Sequence, residues 1–270
     1  MEFPKDHYDH FNCSVEWHYF WGRLNNGNFF HFATFRGGKQ SIQVRASHWS
    51  LHNHESHYFE KVEDELEPLR HTAGYMANNN TFYLQSDKFG MTMAPNVKPI
   101  VHRWTLRDYY SIPSLTGEGH LYPSCEKIVS DVWMDHEFGK YRTLQPWDWV
   151  AIKLNCGMNL MAGQSGEGKV SMIELKGNAI SSDFILDDRH LYFHDTTIHL
   201  TMKPLVEEKI FHPEFGMPYS EVPFEVIGKG ESIGYGMRER SYYGLDEPFK
   251  TVPFKNVITS TKEGCCSDRV

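Results

Sequence analysis

The sequence has few cysteines, no long apolar run and no excess of positive charge, and each shortage excludes a class of protein. Five cysteines in 270 residues, with Cys13, Cys125 and Cys156 far apart, do not form a disulfide framework. No apolar run approaches the roughly 20 residues that a membrane span requires. A net charge of -8 disfavours a nucleic-acid partner, because phosphate attracts basic surfaces. We therefore expect a globular protein without a membrane span and without nucleic acid.

The two ends of the sequence carry no targeting signal that we can identify. Residues 1–7 lack the basic end and apolar stretch of a secretory signal, so we expect a cytoplasmic setting. The polar tail with Cys265 and Cys266 lacks a prenylation pattern, and we interpret it as a frayed end. The oligomeric state cannot be inferred from the sequence.

Aromatic residues are abundant, with 18 Phe, 14 Tyr and 7 Trp making up 14% of the chain. Such side chains supply large contact areas, either in a core or in a pocket for an apolar ligand.

Short alternating runs bounded by turn residues recur along the whole chain and predict a mainly antiparallel β fold. Residues 42–47 alternate apolar and polar side chains, and in residues 149–154 Val150, Ile152 and Leu154 alternate with Trp149, Ala151 and Lys153, so both segments are predicted to be half-buried strands. One Glu-rich stretch, Tyr58 to Leu69, carries Val62, Leu66 and Leu69 at helical spacing, so we predict a short amphipathic helix there.

An internal repeat with an offset of 130 residues indicates a duplicated architecture. It aligns residues 17–19 with 147–149, 24–27 with 154–157, and 38–41 with 168–171. We infer two tandem β domains, residues 1–139 and 140–270. A closed or nearly closed barrel in each half would remove the exposed strand edges of an all-β chain.

Several strings together resemble the AttH/CrtC family, which includes carotenoid hydratases and lipocalin-like Diels-Alderases. The strings are Asp6–His10, Val15–Leu24, Tyr109–Gly117, Asp131–Gly139, Trp147–Trp149, Leu154–Met161 and, more weakly, Pro223–Glu225 with Gly234–Gly236. The resemblance implies an all-β fold of two tandem lipocalin-like antiparallel β-barrels. It also implies a hydrophobic ligand pocket at or near the junction of the two halves.

The string Trp133-Met-Asp135-His136-Glu137 is the most distinctive of these. On a strand Trp133, Asp135 and Glu137 share one face and His136 points to the other. An Asp beside aromatic rings is desolvated and can act as a general acid or base. The alternative is structural, with Asp135 and His136 tying the two halves together through buried hydrogen bonds.

The resemblance supplies roles for further residues. The position matching Asp135 is a proposed catalytic Asp in the carotenoid hydratases, and positions matching Trp133 and Asp135 line the cavity in the Diels-Alderase branch. Our candidate catalytic residues are Asp135, Glu137 and Tyr109. Our candidate substrate-binding residues are Trp17, Tyr19, Tyr110, Trp133, His136 and Phe224.

Two other motifs carry no function in our interpretation. Gly163 to Lys169 matches the start of a phosphate-binding loop, but Val170 replaces the metal-binding hydroxyl, so we predict a hairpin turn. The histidine groups His52-Asn-His54-Glu-Ser-His57, His7 with His10, and His194 with His199 lack the helix-borne spacing of hydrolytic zinc sites. We expect no functional metal and no cofactor.

The leading hypothesis is a cofactor-free cyclase or isomerase that folds a hydrophobic isoprenoid or polyketide against Trp17, Tyr110 and Trp133. Holding reacting ends together can contribute about 7 to 11 kcal/mol. A hydratase with Asp135 as the proton donor and a carrier without catalysis are the alternatives.

Overall fold

The computed structural model describes residues 1–8, 10, 13–39, 42–52, 58–65, 74–78, 80–86, 88–104, 107–140, 145–166, 168–211 and 218–241. In this part of the chain the helical structure is a single 3-10 turn, Lys5–His7, and most residues lie in strands. No helix among these residues has the length and apolar character of a membrane span.

Ten strands form the first antiparallel sheet. They are β1 Val15–Leu24, β2 Phe29–Lys39, β3 Ile42–His52, β4 Tyr58–Glu65, β5 Gly74–Asn78, β6 Thr81–Gln85, β7 Phe89–Pro95, β8 Ile100–Trp104, β9 Arg107–Leu121 and β10 Lys127–Gly139. The order across the sheet is β4-β3-β2-β1-β10-β9-β7-β6-β5, and β8 pairs with β9.

Ten further strands form the second sheet. They are β11 Trp147–Leu154, β12 Met158–Ser165, β13 Gly168–Leu175, β14 Asn178–Ile180, β15 Phe184–Leu186, β16 His190–Phe193, β17 His199–Pro204, β18 Ile210–Phe211, β19 Tyr219–Gly228 and β20 Glu231–Ser241. The order is β14-β13-β12-β11-β20-β19-β17-β16-β15, and β18 pairs with β19. Each strand of the second sheet therefore occupies the place of the strand ten numbers earlier in the first.

The duplication predicted from the sequence is confirmed by this strand order, and the first turn shows it in detail. Gly27 and Gly157 have φ angles of +88° and +85°, which favour glycine because it lacks a Cβ. In each turn the glycine N–H donates to the carbonyl of the last strand residue, Leu24 or Leu154, at 2.9 Å.

The third block of the predicted repeat is out of register. Gly38 and Lys39 end β2, whereas Gly168 and Lys169 begin β13. The reason is that β2 has 11 residues and β12 has 8, so the second hairpin of the first sheet is longer. Ser165 pairs with Gly168, which confirms the prediction of a hairpin turn at this segment.

The helix predicted at Tyr58 to Leu69 is wrong. Tyr58–Glu65 is β4, paired along its length with β3, and residues 66–69 lie outside the described residues. Backbone pairing with a neighbouring strand outweighs the helical spacing of three apolar residues, because local propensity is a weak determinant.

Contacts divide the chain into two compact units, Met1–Leu144 with Phe211–Pro218, and Gln145–Ile210 with Tyr219–Val270. Each unit has its own apolar core. In the first the core includes Phe20, Ile112 and Met134, and in the second it includes Val150 and Phe224. We call the sheet face that carries the core the inner face and the opposite one the outer face. The separate folding of residues 1–139 and 140–270 stays a prediction.

Candidate functional site

Four side chains on the outer face of β9 and β10 form what we call the Asp135 cluster: Asp135, Tyr109, Ser111 and Trp133. In the sheet Asp135 is paired with Tyr19 of β1 on one side and with Ser111 of β9 on the other. Tyr109 lies two residues before Ser111, so it shares the face because strand side chains alternate.

The Asp135 carboxylate accepts three hydrogen bonds. Tyr109 Oη donates to Oδ2 at 3.0 Å, Trp133 Nε1 donates to Oδ1 at 2.9 Å, and Ser111 Oγ donates to Oδ1. Asp135 is only 4% exposed, and the three donors are 3% exposed or less. A carboxylate that accepts several hydrogen bonds is held in its ionised form, even where burial alone would favour the neutral acid.

His102 of β8 contacts the hydroxyl of Ser111. Its Nε2 lies 2.8 Å from Ser111 Oγ, and the hydroxyl proton of Ser111 is directed at Asp135, so Nε2 must carry the proton in this contact. Burial lowers the pKa of His102 to about 3, so the ring is neutral near pH 7. The carboxylate is therefore held by neutral donors and not by a buried positive charge at this position.

A β-bulge places Trp133 beside this carboxylate. The register between β10 and β9 shifts between Val132 and Met134, where Pro113 and Ser114 together face the single residue Trp133. Bulges re-aim side chains and are common beside active sites, and Pro suits one because it has no backbone donor. The Trp133 ring stacks against Trp21 at a centroid distance of 6.3 Å.

Glu137 lies on the same outer face but has a different partner. Its Oε1 lies 2.5 Å from Nη1 of Arg107, and both side chains are less than 10% exposed. The pair is a buried ion pair, which neutralises Glu137. Tyr19 is buried on this face, and Trp17 is half-buried.

The inner face of the same strands holds a second polar group, which we call the imidazole cluster: His10, Glu16, Arg36 and His136. His10 Nδ1 and His136 Nε2 each lie 2.8 Å from Glu16 Oε1. Arg36 Nη2 donates to Glu16 Oε2 and to the His10 carbonyl. Glu16 and His136 are almost fully buried, and His10 is 21% exposed at its side chain.

These contacts shift the pKa values of Glu16, His10 and His136. Burial alone would raise the pKa of Glu16, but hydrogen bonds from His10 and His136 outweigh it and hold that pKa well below its usual range. Burial opposes protonation of His10, yet its contacts with Glu16 and Asp6 raise the pKa of the ring. Burial lowers the pKa of His136, and the contact with Glu16 opposes that shift.

A pocket of about 490 Å³ lies in the first unit beside the N-terminal 3-10 turn. It is lined by Phe3, His7, Asn80 and the segment Pro95–Pro99. His7 Nδ1 lies 2.7 Å from the Tyr110 hydroxyl, which in turn lies 3.1 Å from His136 Nδ1. Burial and the neighbouring His136 lower the pKa of His7 to about 4, so the ring facing the pocket is neutral.

The structure therefore divides the residues that the sequence singled out. Six of them share the outer face: Trp17, Tyr19, Tyr109, Trp133, Asp135 and Glu137. On the inner face His136 belongs to the imidazole cluster and Tyr110 contacts it, and Phe224 lies in the apolar core of the second unit. The roles assigned to all nine stay predictions, as does the pocket predicted at the junction of the two halves.

Sequence reasoning missed Ser111 and His102 as supports of Asp135, and Arg107 as the partner of Glu137. Alternation along a strand indicates which face a residue occupies, but not which strand is its neighbour. Once the pairing of β9 with β10 is known, Ser111 opposite Asp135 follows directly.

The remaining sequence motifs are placed as follows. Cys13, Cys125 and Cys156 are free thiols, as expected. The tail with Cys265 and Cys266 lies outside the described residues, as does the histidine group from His54 to His57. His7 and His10 do not converge on one atom, since His7 contacts Tyr110 and His10 contacts Glu16.

No protein-family model matches the chain, and no curated protein is similar to it in sequence. Solved structures do share its fold. A candidate AttH protein from Nitrosomonas europaea has a TM-score of 0.73 and 16% identity, over 89% of this chain and 96% of that one. Kievitone hydratase from Nectria haematococca has a TM-score of 0.66 and 13% identity, over 87% and 90%. CghA has a TM-score of 0.52 and 10% identity, over 85% and 88%.

These likenesses define the class of fold. The chain has the duplicated, lipocalin-like antiparallel architecture of AttH-type structures, so the fold that the sequence resemblance implies is confirmed. Neighbours at this level of identity support a fold and leave the activity to be argued from the site.

Proposed function

We propose that the protein is a cofactor-free isomerase or cyclase that acts on a hydrophobic small molecule at the Asp135 cluster. The observation that carries this proposal is a buried carboxylate that accepts hydrogen bonds from Tyr109, Ser111 and Trp133. Hydrogen bonds of this kind favour the ionised form, and a buried, ionised carboxylate can act as a proton acceptor or as a partner for developing positive charge.

The aromatic surroundings favour an apolar substrate. Trp17, Tyr19 and Trp133 share the face of Asp135, and flat rings of this kind bind isoprenoid or polyketide skeletons through their large contact area. In the proposed step Asp135 removes a proton from one carbon of the substrate and returns it at another. The electron pair moves within the substrate, so its composition does not change.

Hydration is the alternative, because kievitone hydratase shares the fold. In that reaction Asp135 would have to donate a proton to an alkene. Three hydrogen bonds donated to the carboxylate stabilise its ionised form, so the resting group can begin by accepting a proton, as isomerisation requires, but not by donating one. Glu137 is already paired with Arg107, so we assign it the positioning of β10 and not the proton transfer.

The test begins with the small molecule that copurifies with the protein. Mass spectrometry identifies it, and the purified protein is then incubated with it in ¹⁸O-labelled water. We expect a product of unchanged mass, whereas incorporation of one labelled oxygen supports the hydratase. Binding without any turnover by the unmutated protein supports the carrier.

Asp135→Asn tests the role of the carboxylate. The amide cannot accept a carbon-bound proton, so we expect turnover to fall by about 10²- to 10⁴-fold with ligand binding retained. Asp131→Asn, at an exposed position of the same strand, is the matched control and should retain full activity. Equal turnover by Asp135→Asn and the unmutated protein would exclude the proposed mechanism.

A further inference from the structure

Three members of the imidazole cluster, His10, Glu16 and His136, offer metal-ligand atoms. His10 follows the N-terminal 3-10 turn, Glu16 lies on β1 and His136 on β10, and Glu16 and His136 are 120 residues apart in sequence. One ligand atom from each of the three lies within 4.8 Å of the others. The cluster lies on the inner face, so it is separate from the Asp135 cluster and independent of the proposed function.

The outer nitrogen of each imidazole is already engaged by an acceptor. His10 Nε2 lies 3.2 Å from Asp6 Oδ1, and His136 Nδ1 lies 3.0 Å from the Asp6 carbonyl oxygen. Histidines that bind metals have this arrangement, in which the second ring nitrogen donates to a carboxylate or a backbone carbonyl.

The nitrogens that face Glu16, His10 Nδ1 and His136 Nε2, raise the question of what lies between them and the carboxylate oxygen. If each neutral ring carries its proton on the nitrogen facing Asp6, a bare lone pair points at Glu16 Oε1 from each side at 2.8 Å. Two lone pairs and a carboxylate oxygen repel one another unless a cation lies between them. Either the two rings donate N–H protons to Glu16, as in the cluster without a metal, or a metal ion shared by all three groups replaces those protons.

Arg36 and the burial of the three residues determine which oxygen of Glu16 faces the rings and from which side an ion can approach. Arg36 binds Glu16 Oε2, so Oε1 is the carboxylate atom directed at the two rings. Glu16 and His136 are buried, whereas the His10 side chain is 21% exposed, which gives an ion an approach from that side.

We propose that His10, Glu16 and His136 bind a divalent transition-metal ion. Two imidazole nitrogens and one carboxylate oxygen suit Zn²⁺ or Co²⁺ better than Mg²⁺ or Ca²⁺, which take oxygen ligands. Three protein ligands leave one coordination position open, as in catalytic metal sites. The sequence pattern did not indicate this site, because Glu16 and His136 are 120 residues apart.

Titration of the full-length protein with Co²⁺, followed by its visible absorption and by calorimetry, tests the proposal. We expect one ion per chain with the spectrum of a four-coordinate site. His10→Gln should weaken binding by at least about 100-fold, since even the loss of an outer contact costs up to that factor. Zn²⁺ should displace Co²⁺ from the same site.

Two control variants make the result decisive. His120→Gln, at an exposed position of β9, should bind Co²⁺ like the unmutated protein. The rings of His190 and His199 lie 5.7 Å apart on the surface of the second unit, and His199→Gln removes that competing site. Binding that survives His10→Gln and is lost in His199→Gln would overturn the proposal.

His136→Gln serves as a second ligand variant if its circular dichroism matches that of the unmutated protein. His10→Gln carries the test if it does not, because His10 lies outside the sheets and is partly exposed. No binding of Co²⁺ or Zn²⁺ by the unmutated protein would show that protons alone hold the cluster.

Discussion

The two sheets share one strand order but place different chemistry at equivalent positions of their inner faces. In the first, His18 is paired with His136 across β1 and β10. In the second, Asp148 is paired with Arg240 across β11 and β20. The same backbone frame therefore presents imidazoles in one unit and an acid–guanidinium pair in the other.

In the polar group of the second unit, Asp148 has hydrogen-bond partners for both carboxylate oxygens, and Arg238 has acceptors for all three guanidinium nitrogens. Arg238 donates to both oxygens of Asp148, through Nε at 2.8 Å and Nη2 at 2.5 Å, and its Nη1 donates to the carbonyl oxygens of Asp187 and Asp188. A guanidinium has no acceptor atom, and both carboxylate oxygens of Asp148 are hydrogen-bonded to it, so this group has the arrangement of a structural ion pair. Imidazole nitrogens can bind a metal, so the metal site that we propose lies in the first unit and not at the equivalent place in the second.

Arg238→Met tests the structural assignment and should have the largest effect on stability. It leaves Asp148 buried without its bidentate partner, which costs about 3 to 5 kcal/mol in the free energy of unfolding. Urea denaturation measures the loss. The double variant Asp148→Leu with Arg238→Met should lose less than Arg238→Met alone, since no buried charge remains. A double variant that is less stable than the single one would contradict the comparison.

Acid should destabilise the first unit before the second. His102 has a folded pKa of about 3 against about 6.5 in an unfolded chain, so below pH 6.5 protons bind the unfolded state preferentially. Its contribution to stability is complete above pH 6.5 and falls by about 3 kcal/mol as the pH drops to 4. His190, His194 and His199 of the second unit are exposed, whereas His102 is buried.

Hydrogen exchange at pH 7 and at pH 4.5 measures this difference, with earlier loss of protection expected in β8 to β10. His102→Gln should flatten the pH dependence of unfolding, and His194→Gln, at an exposed position of the second unit, is the matched control. Equal acid sensitivity of the two sheets would show that buried histidines do not distinguish them.

The smallest effect on stability is expected at the turn after the first strand, which is the same in the two units. Gly27→Ala and Gly157→Ala both place a Cβ at a positive φ, in turns with the same hydrogen bond. Each should cost about 1 to 2 kcal/mol in thermal unfolding, because an L residue is strained in this conformation. Costs that differ by much more than about 0.5 kcal/mol would mean that the turns are not equivalent.

Local patterns predicted much of the architecture correctly. Alternation along β10 placed Trp133, Asp135 and Glu137 on one face, because the side-chain period of a strand is two. The turn at Asn155 to Gly157 matched that at Asn25 to Gly27, since both need a glycine at positive φ. The segment Tyr58–Glu65 was predicted as a helix because its neighbour β3, which decides its structure, lies outside any local window.

By itself the sequence determined an all-β chain, its duplication, and that Trp133, Asp135 and Glu137 share one face with His136 on the other. Only the tertiary structure decided that Ser111 supports Asp135, that Arg107 neutralises Glu137, and that His10 and His136 meet at Glu16. The physical reason is that alternation is a property of one strand, whereas partners across a sheet depend on register. A slip of one residue would turn every side chain of a strand to the opposite face.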